Sequence, residues 1–173
     1  MAEVDLRRYI RDVPDFPKKG IVFKDITPLL GDRDALQYAL TSLSERFRDR
    51  EISKVVGIES RGYIFAPAIA LHLKAGFVPV RKPGKLPWKT VAEEYALEYG
   101  KDRLEIHTDA IRPGERVLIV DDLLATGGTA SATRSLVERL EGRVVGAGFL
   151  VELTFLGGRS RLPGVDVVSL IGY

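Results

Sequence analysis

The chain has 173 residues, with 26 basic and 24 acidic side chains and a formal net charge of +2. That length suits one domain whose core needs no metal or disulfide staple, and the absence of cysteine excludes disulfides, thiolate metal sites and cysteine nucleophiles. Near-neutral charge argues against a chain-wide nucleic-acid-binding surface, no apolar run approaches the roughly 20 residues that cross a bilayer, and the first residues lack the apolar stretch and cleavage site of a secretory signal; a cytoplasmic protein with neither nucleic acid nor membrane as partner is expected.

In chain order, residues 2–11 read as a short helix, with Val4, Leu6 and Ile10 partly on one side. Pro14 and Pro17 break it, and FPKKGIVFKDITPLL reads as an ordered loop. Leu36, Leu40, Leu43 and Phe47 recur at helical spacing over residues 34–49, with Asp32 or Asp34 as N-cap. Residues 54–58 form a short apolar strand, 62–74 a helix and 77–81 another strand. From Val91 the pattern alternates, and Gly100-Lys101 supplies a turn into residues 103–107, which predicts a β-hairpin inserted between α/β units. An apolar strand at 117–120, a helix at 128–141, a strand at 143–152, a turn or short helix near 155–161 and a strand at 166–171 complete the chain. Strands alternating with helices predict a mostly parallel sheet covered on both faces. Such sheets bind ligands beyond the carboxyl ends of their strands.

The chemistry gathers after strand 117–120. The strand delivers Asp121 and Asp122 to its carboxyl end, and Ala125, Thr126, Gly127, Gly128 and Thr129 follow before a helix begins. Glycines let backbone N–H groups approach an anion without a Cβ in the way. A loop of inward-facing amides ending in a helix N-terminus is a phosphate cradle, and Thr126 and Thr129 add hydroxyl donors. Two acids repel a phosphate but suit the hydroxyls of a sugar. The arrangement therefore predicts a phosphorylated sugar, with its phosphate on the loop and its diol on the acids. Taken alone, Gly-Gly would be an ordinary turn; the strand, acid pair, T-G-G-T and helix together are what carry the reading.

VLIVDDLLATGGT resembles the phosphoribosyl-diphosphate signature of type I phosphoribosyltransferases. FPKKGIVFKDITPLL, GIESRGYIFAPAIA, VRKPGKLP, YALEYGKDRLEIH and FLVEL are similar, in the same order, to segments of the adenine-using members of that family, and together they span residues 16 to about 153. The resemblance implies a single domain over 1–173: an α/β fold with a mostly parallel central sheet flanked by helices, a small N-terminal hood at 1–33 that binds the base, and a mobile loop and inserted hairpin at 82–107. It implies transfer of the 5-phosphoribosyl group from phosphoribosyl diphosphate to adenine, giving AMP and diphosphate in purine salvage. The implied cofactor is Mg²⁺, held mainly through the donor and water with no direct protein ligand, and the implied assembly is a homodimer.

The resemblance also assigns residues. Ser60 and Arg61, in a loop whose Glu59–Ser60 peptide is expected to be cis, contact the diphosphate with Arg81, Lys82 and Lys85; Lys89 lies outside the matching segment. Charge neutralisation by a guanidinium fork and ammonium groups is what a departing diphosphate needs, although four cations in nine residues also describe a solvated edge. Val22, Phe23 and Lys24 meet adenine, with Phe23 stacking and the backbone reading its edge, and Leu153 lies against the opposite face. On its own Phe23 reads as a core residue. Glu98 matches the acid/base that accepts the N7 proton of adenine, and Tyr99 a neighbour that helps close the site; on their own both are ordinary hairpin residues. His72 and His107 lack metal-ligand spacing, and Trp88 reads as a packed surface or subunit-contact residue.

Two rivals remain at this stage: another acceptor, such as a 6-oxopurine or orotate, and a non-catalytic regulator that senses the donor. Some 15 residues precede the first family-like segment, too few for a helix-turn-helix domain. The chain contains no Asn, one Gln (Gln37) and one Met, and its 17 Arg outnumber 9 Lys. Thermal adaptation and GC-rich codon usage both account for that composition. None of the assigned positions needs a side-chain amide, so base recognition falls to backbone groups and stacking.

Overall fold

A computed structural model describes residues 4–96 and 101–173. After a 3₁₀ turn at Leu6–Tyr9, strands β1 (Arg11–Pro14) and β2 (Val22–Asp25) pair antiparallel, with Asp12 opposite Lys24 and Val13 opposite Phe23. Helices α1 (Thr27–Gly31) and α2 (Arg33–Glu45) lead to β3 (Lys54–Ile58), α3 (Gly62–His72) and β4 (Gly76–Val80). The hairpin β5 (Thr90–Ala96) and β6 (Lys101–His107) precedes β7 (Arg116–Leu124), α4 (Gly128–Arg139), β8 (Arg143–Glu152) and β9 (Val167–Gly172). Five strands make a parallel sheet in the order β4-β3-β7-β8-β9, and the β1–β2 and β5–β6 pairs are separate two-stranded sheets.

The sheet is covered on both faces because its strands are apolar on both parities. In β7, Leu118 and Val120 enter one core with Leu43 and Phe47 of the α2 region and Phe65 and Ile69 of α3. Val117 and Ile119 enter the other, with Leu136 and Val137 of α4 and Leu104 and Ile106 of β6. All four β7 side chains are fully buried, each contributing about 1.5–3 kcal/mol by its transfer from water. Alternation in the hairpin has the same cause: Val91 and Tyr95 share a parity and pack against the second core.

Several expectations require correction. Of the helix expected over 2–11, the described residues from 4 on hold only a single 3₁₀ turn capped by Asp5, and Arg11 already belongs to β1. FPKKGIVFKDITPLL is not a loop but contains β2 and α1. Its strand character is invisible in composition, because none of the side chains of β1 and β2 is buried and no apolar alternation marks them. Helix α2 ends at Glu45 rather than 49, and a 3₁₀ turn covers Arg48–Arg50. Its start follows expectation, with Asp32 Oδ1 accepting from the N–H groups of Asp34 (3.1 Å) and Ala35 (2.9 Å). Strand β7 runs on to Leu124, so Asp121 and Asp122 lie within a strand rather than beyond one. They line a cavity because β3 stops pairing at Gly57↔Val120, while β8 continues to Leu124↔Glu152. No helix among the described residues is long and apolar enough to cross a membrane.

Candidate active site

A cavity of about 240 Å³ opens where β3 ends and β7 runs past it. One wall is the loop Ala125, Thr126, Gly127, Gly128 and Thr129. Gly127 is the residue before α4 and has φ +80°. A Cβ there would come within 2.4 Å of the Gly158 carbonyl oxygen, so both the left-handed backbone and the contact require glycine. The first intrahelical bond of α4 runs from Ser131 N to Gly127 O (2.9 Å). The N–H groups of Gly128, Thr129 and Ala130 therefore have no intrahelical acceptor, and all three residues line the cavity. This is the anion-binding end of a helix with its dipole aimed at the cavity. The buttress from the turn at Gly158–Arg161 was not anticipated, although the Gly157-Gly158 doublet was a signal available in the sequence.

Asp121 and Asp122 form the floor. Asp121 lies under the start of α3, where a Cβ on Gly62 would be 3.0 Å from its Oδ1. Its Oδ1 also accepts from Asp122 N at 2.9 Å. Asp122 is buried and pairs through Oδ2 with Arg61 Nε at 2.9 Å. Burial pushes both carboxyls above the usual range, most strongly for Asp121, which also feels its neighbour's charge; Arg61 works against the rise at Asp122. One buried and one half-buried acid that gain from a polar partner suit the vicinal hydroxyls of a sugar.

The peptide Glu59–Ser60 is cis, as the resemblance implied. Ser60, Arg61 and Lys82 line the same cavity as the loop and the acids. Lys82 Nζ pairs with Asp102, whose Oδ2 also accepts from Tyr95 OH at 3.0 Å. Arg81 and Lys85 are placed differently: neither lines the cavity, and both are held by Glu59. Arg81 donates to Glu59 from Nε (3.1 Å) and Nη2 (3.4 Å), Lys85 pairs through Nζ, and the Lys82 N–H donates at 3.1 Å. Burial alone would raise the Glu59 pKa, but these donors outweigh it and hold the carboxyl at about 2. Glu59, Asp102 and Tyr95 were not singled out from the sequence. The first was hidden as the residue before Ser60, and the others meet only through the hairpin register Tyr95↔Asp102.

The base-side candidates sit beside this cavity and not in its lining. The Phe23 ring lies 5.3 Å from the Arg61 guanidinium and edge-on to Phe16 at 5.2 Å between centroids. Arg61 thus touches both Asp122 and the Phe23 ring. Val22 is exposed. Lys24 is engaged by Asp12 (Nζ–Oδ1 2.7 Å) and by the Tyr173 ring. Leu153 follows β8 and donates its N–H to Leu124 O at 2.9 Å, which sets it beside the phosphate loop. Glu98 and Tyr99 lie outside the described residues. Trp88 is exposed, and His72 shares a 3.3 Å hydrogen bond with Ser44. Among the described residues, no three or more His, Cys, Asp or Glu gather in a way that would hold a metal ion.

Comparison with known proteins bears on this geometry. The family model for the phosphoribosyl transferase domain matches residues 34–162. The chain is 58% identical over 173 residues to the adenine phosphoribosyltransferase of Thermotoga maritima, covering 100% of both chains. The crystal structure of adenine phosphoribosyltransferase from Rhodothermus marinus superposes with a TM-score of 0.92 at 60% identity, covering 97% of this chain and 96% of that one. The Saccharomyces cerevisiae enzyme, solved with adenine and an imino-altritol bisphosphate, superposes with a TM-score of 0.90 at 43% identity, covering 96% of each. With the phosphoribosyl transferase domain matched across most of its length and relatives matched from end to end, the chain belongs to the adenine phosphoribosyltransferase family.

Proposed function

We propose a division of labour among the site residues for this family's reaction, transfer of the 5-phosphoribosyl group from phosphoribosyl diphosphate to adenine. One observation supports it above the rest: the loop 125–129 at the head of α4, the acid pair of β7 and Arg61 converge on a single cavity. The amides of the loop and the hydroxyls of Thr126 and Thr129 take the 5′-phosphate. Asp121 and Asp122 take the ribose hydroxyls, and Asp122 exchanges its bond to Arg61 for them. Freed from Asp122, Arg61 can turn with Ser60 and Lys82 to the diphosphate. Arg81 and Lys85 reach that group when its higher charge draws them from Glu59. Adenine lies on Phe23, with the backbone of Val22 and Lys24 at its edge and Leu153 on its other face.

Mg²⁺ would be held mainly by oxygens of the donor and by water, with the acids of β7 beside it and not as direct ligands. When bound, Mg²⁺ supplies charge neutralisation for the leaving diphosphate. The protein's own part is positioning: it fixes C1′ between base and leaving group and neutralises the charge that develops as the glycosidic carbon gains oxocarbenium character. Glu98 accepts the N7 proton as N9 of adenine bonds to C1′. Tyr99 and the segment 82–107 close over the donor to exclude water, pivoting on β6, whose Leu104 and Ile106 are fixed in the core.

The substrates and products are thus adenine, phosphoribosyl diphosphate, AMP and diphosphate, and the multiply charged donor places the reaction in the cytoplasm. A homodimer accounts for helix α3, which is apolar all round yet presents Ile64 and Leu71 to solvent beside Phe77 on the edge strand β4.

The test is diphosphate release from adenine, phosphoribosyl diphosphate and Mg²⁺, with hypoxanthine, guanine and orotate as competitors. AMP as the preferred product supports the reading; preference for another base overturns the base site, and no release overturns the whole. Glu98→Gln and Glu98→Leu separate the acid/base role: unchanged kcat in both removes that role and leaves the rest intact.

A further inference from the structure

The base site of the reading above is built from two pieces with no strand in common. Phe23 and Lys24 belong to the β1–β2 hood, whereas Leu153 follows β8 of the central sheet. Adenine can be gripped on both faces only if those pieces hold a fixed separation. We propose that Tyr173 is the positioning residue that sets it, clasping the hood strand to the end of β8. The proposal rests on the assignment of residues 22–24 and Leu153 to the base.

The main chain of Tyr173 brackets Leu153. Its N–H donates to Glu152 O (2.9 Å), and its carbonyl oxygen accepts from Thr154 N (2.9 Å) and Thr154 Oγ1 (2.5 Å). Its ring belongs to the other piece: Lys24 Nζ stands 3.9 Å from the ring centroid, well inside the range of a cation–π contact. The Lys24 side chain is only 14% exposed, and its ammonium is also paired with Asp12, the residue opposite it in the hood. That ammonium is thus held between a carboxylate of β1 and the ring of Tyr173. A second cation repeats the fastening, since Arg7 lies 5.5 Å from the same ring and donates from Nη2 to Gly172 O at 2.7 Å.

These contacts hold the Lys24 side chain between Asp12 and Tyr173. It anchors its own backbone, whose N–H and C=O are the groups a purine edge would meet. The clasp bears on the base and leaves the phosphate loop and the acid pair alone, so its loss has a signature that a general loss of structure lacks. Without the ring, a mostly buried ammonium keeps a single partner and the hood strand is free to shift relative to Leu153.

The experiment is steady-state kinetics in both substrates, with thermal unfolding, for Tyr173→Ala, Tyr173→Phe and Phe23→Ala. Tyr173→Ala is expected to raise the KM for adenine about tenfold, the scale of one desolvated cation–π contact, and to leave the KM for phosphoribosyl diphosphate within about twofold. Tyr173→Phe keeps the ring and is expected to restore the wild-type value. Tyr173→Leu, which keeps apolar volume without the ring quadrupole, replaces the alanine variant if that one does not fold. An unchanged adenine KM in Tyr173→Ala beside a raised one in Phe23→Ala overturns the clasp and leaves the base site standing. Equal changes in both KM values, or no rescue by phenylalanine, also overturn it. An unchanged adenine KM in Phe23→Ala removes the base-site assignment and the clasp together.

Discussion

Replacing Glu59 by glutamine removes the charge that holds Arg81 and Lys85 while keeping an oxygen for the Lys82 N–H. The native carboxyl titrates at about 2 instead of 4.5. At about 1.36 kcal/mol per tenfold change in proton affinity, that difference corresponds to at most about 3.4 kcal/mol. The two cations are 34% and 48% exposed, so solvent screens them and about 1–2 kcal/mol is the expected net value. A carboxyl whose pKa is depressed on folding stabilises fully above its unfolded pKa and loses that contribution as pH falls toward the folded value. The gap in stability between wild type and Glu59→Gln should therefore be constant from pH 7 to about 5.5 and shrink steadily between about 4.5 and 2. In a protein of this size it is worth about 2–8 °C in Tm at pH 7. Thermal unfolding of both proteins at pH 7, 5.5, 4.5 and 3.5 reads this directly. A gap of the same size at pH 7 and 3.5 would refute the ionic origin, and no gap at pH 7 would refute the contribution itself.

Gly127→Ala puts a Cβ 2.4 Å from the Gly158 carbonyl oxygen at φ +80°. The left-handed backbone costs about 1–2 kcal/mol for alanine, and relief of the overlap displaces the loop. The KM for phosphoribosyl diphosphate should rise at least about tenfold by that measure, with the adenine KM little changed. Asp32→Ala removes the cap of α2, far from the cavity; unfolding should show a loss of about 1 kcal/mol with unchanged kcat. Leu71→Glu places a charge on the exposed face of α3, and light scattering should show a monomer for the variant against the dimer proposed for the wild type. An unaltered mass would place the subunit contact elsewhere.

The gathering of the loop 125–129 and the acid pair at one cavity was legible because these residues are neighbours in the chain. An apolar strand, two acids, two glycines and a helix start follow one another in the chain, and their consecutive order already brings them to one sheet edge. Glu59 was not legible as a holder of cations. It meets Arg81 and Lys85 because β3 and β4 pair in parallel with Ile58 opposite Val80, which brings the residues after each strand together. The hood was misread for a related reason. Strands Arg11–Pro14 and Val22–Asp25 carry few apolar residues, and none of their side chains is buried, so no burial pattern announces them.

By itself, then, the sequence determined the layered α/β sheet, most of its element boundaries, the glycine loop at the head of α4 and the family, since each follows from periodicity or from residues contiguous in the chain. Tertiary structure alone decided which charges meet. It set Arg61 between Asp122 and Phe23, stored Arg81 and Lys85 on Glu59, placed the turn at Gly158 under Gly127, and laid the ring of Tyr173 against Lys24. Such contacts depend on strand register and on the docking of one sheet against another, and one residue of register turns a side chain to the opposite face. The chemistry of a site can be written in a contiguous segment, but its partners are chosen by packing.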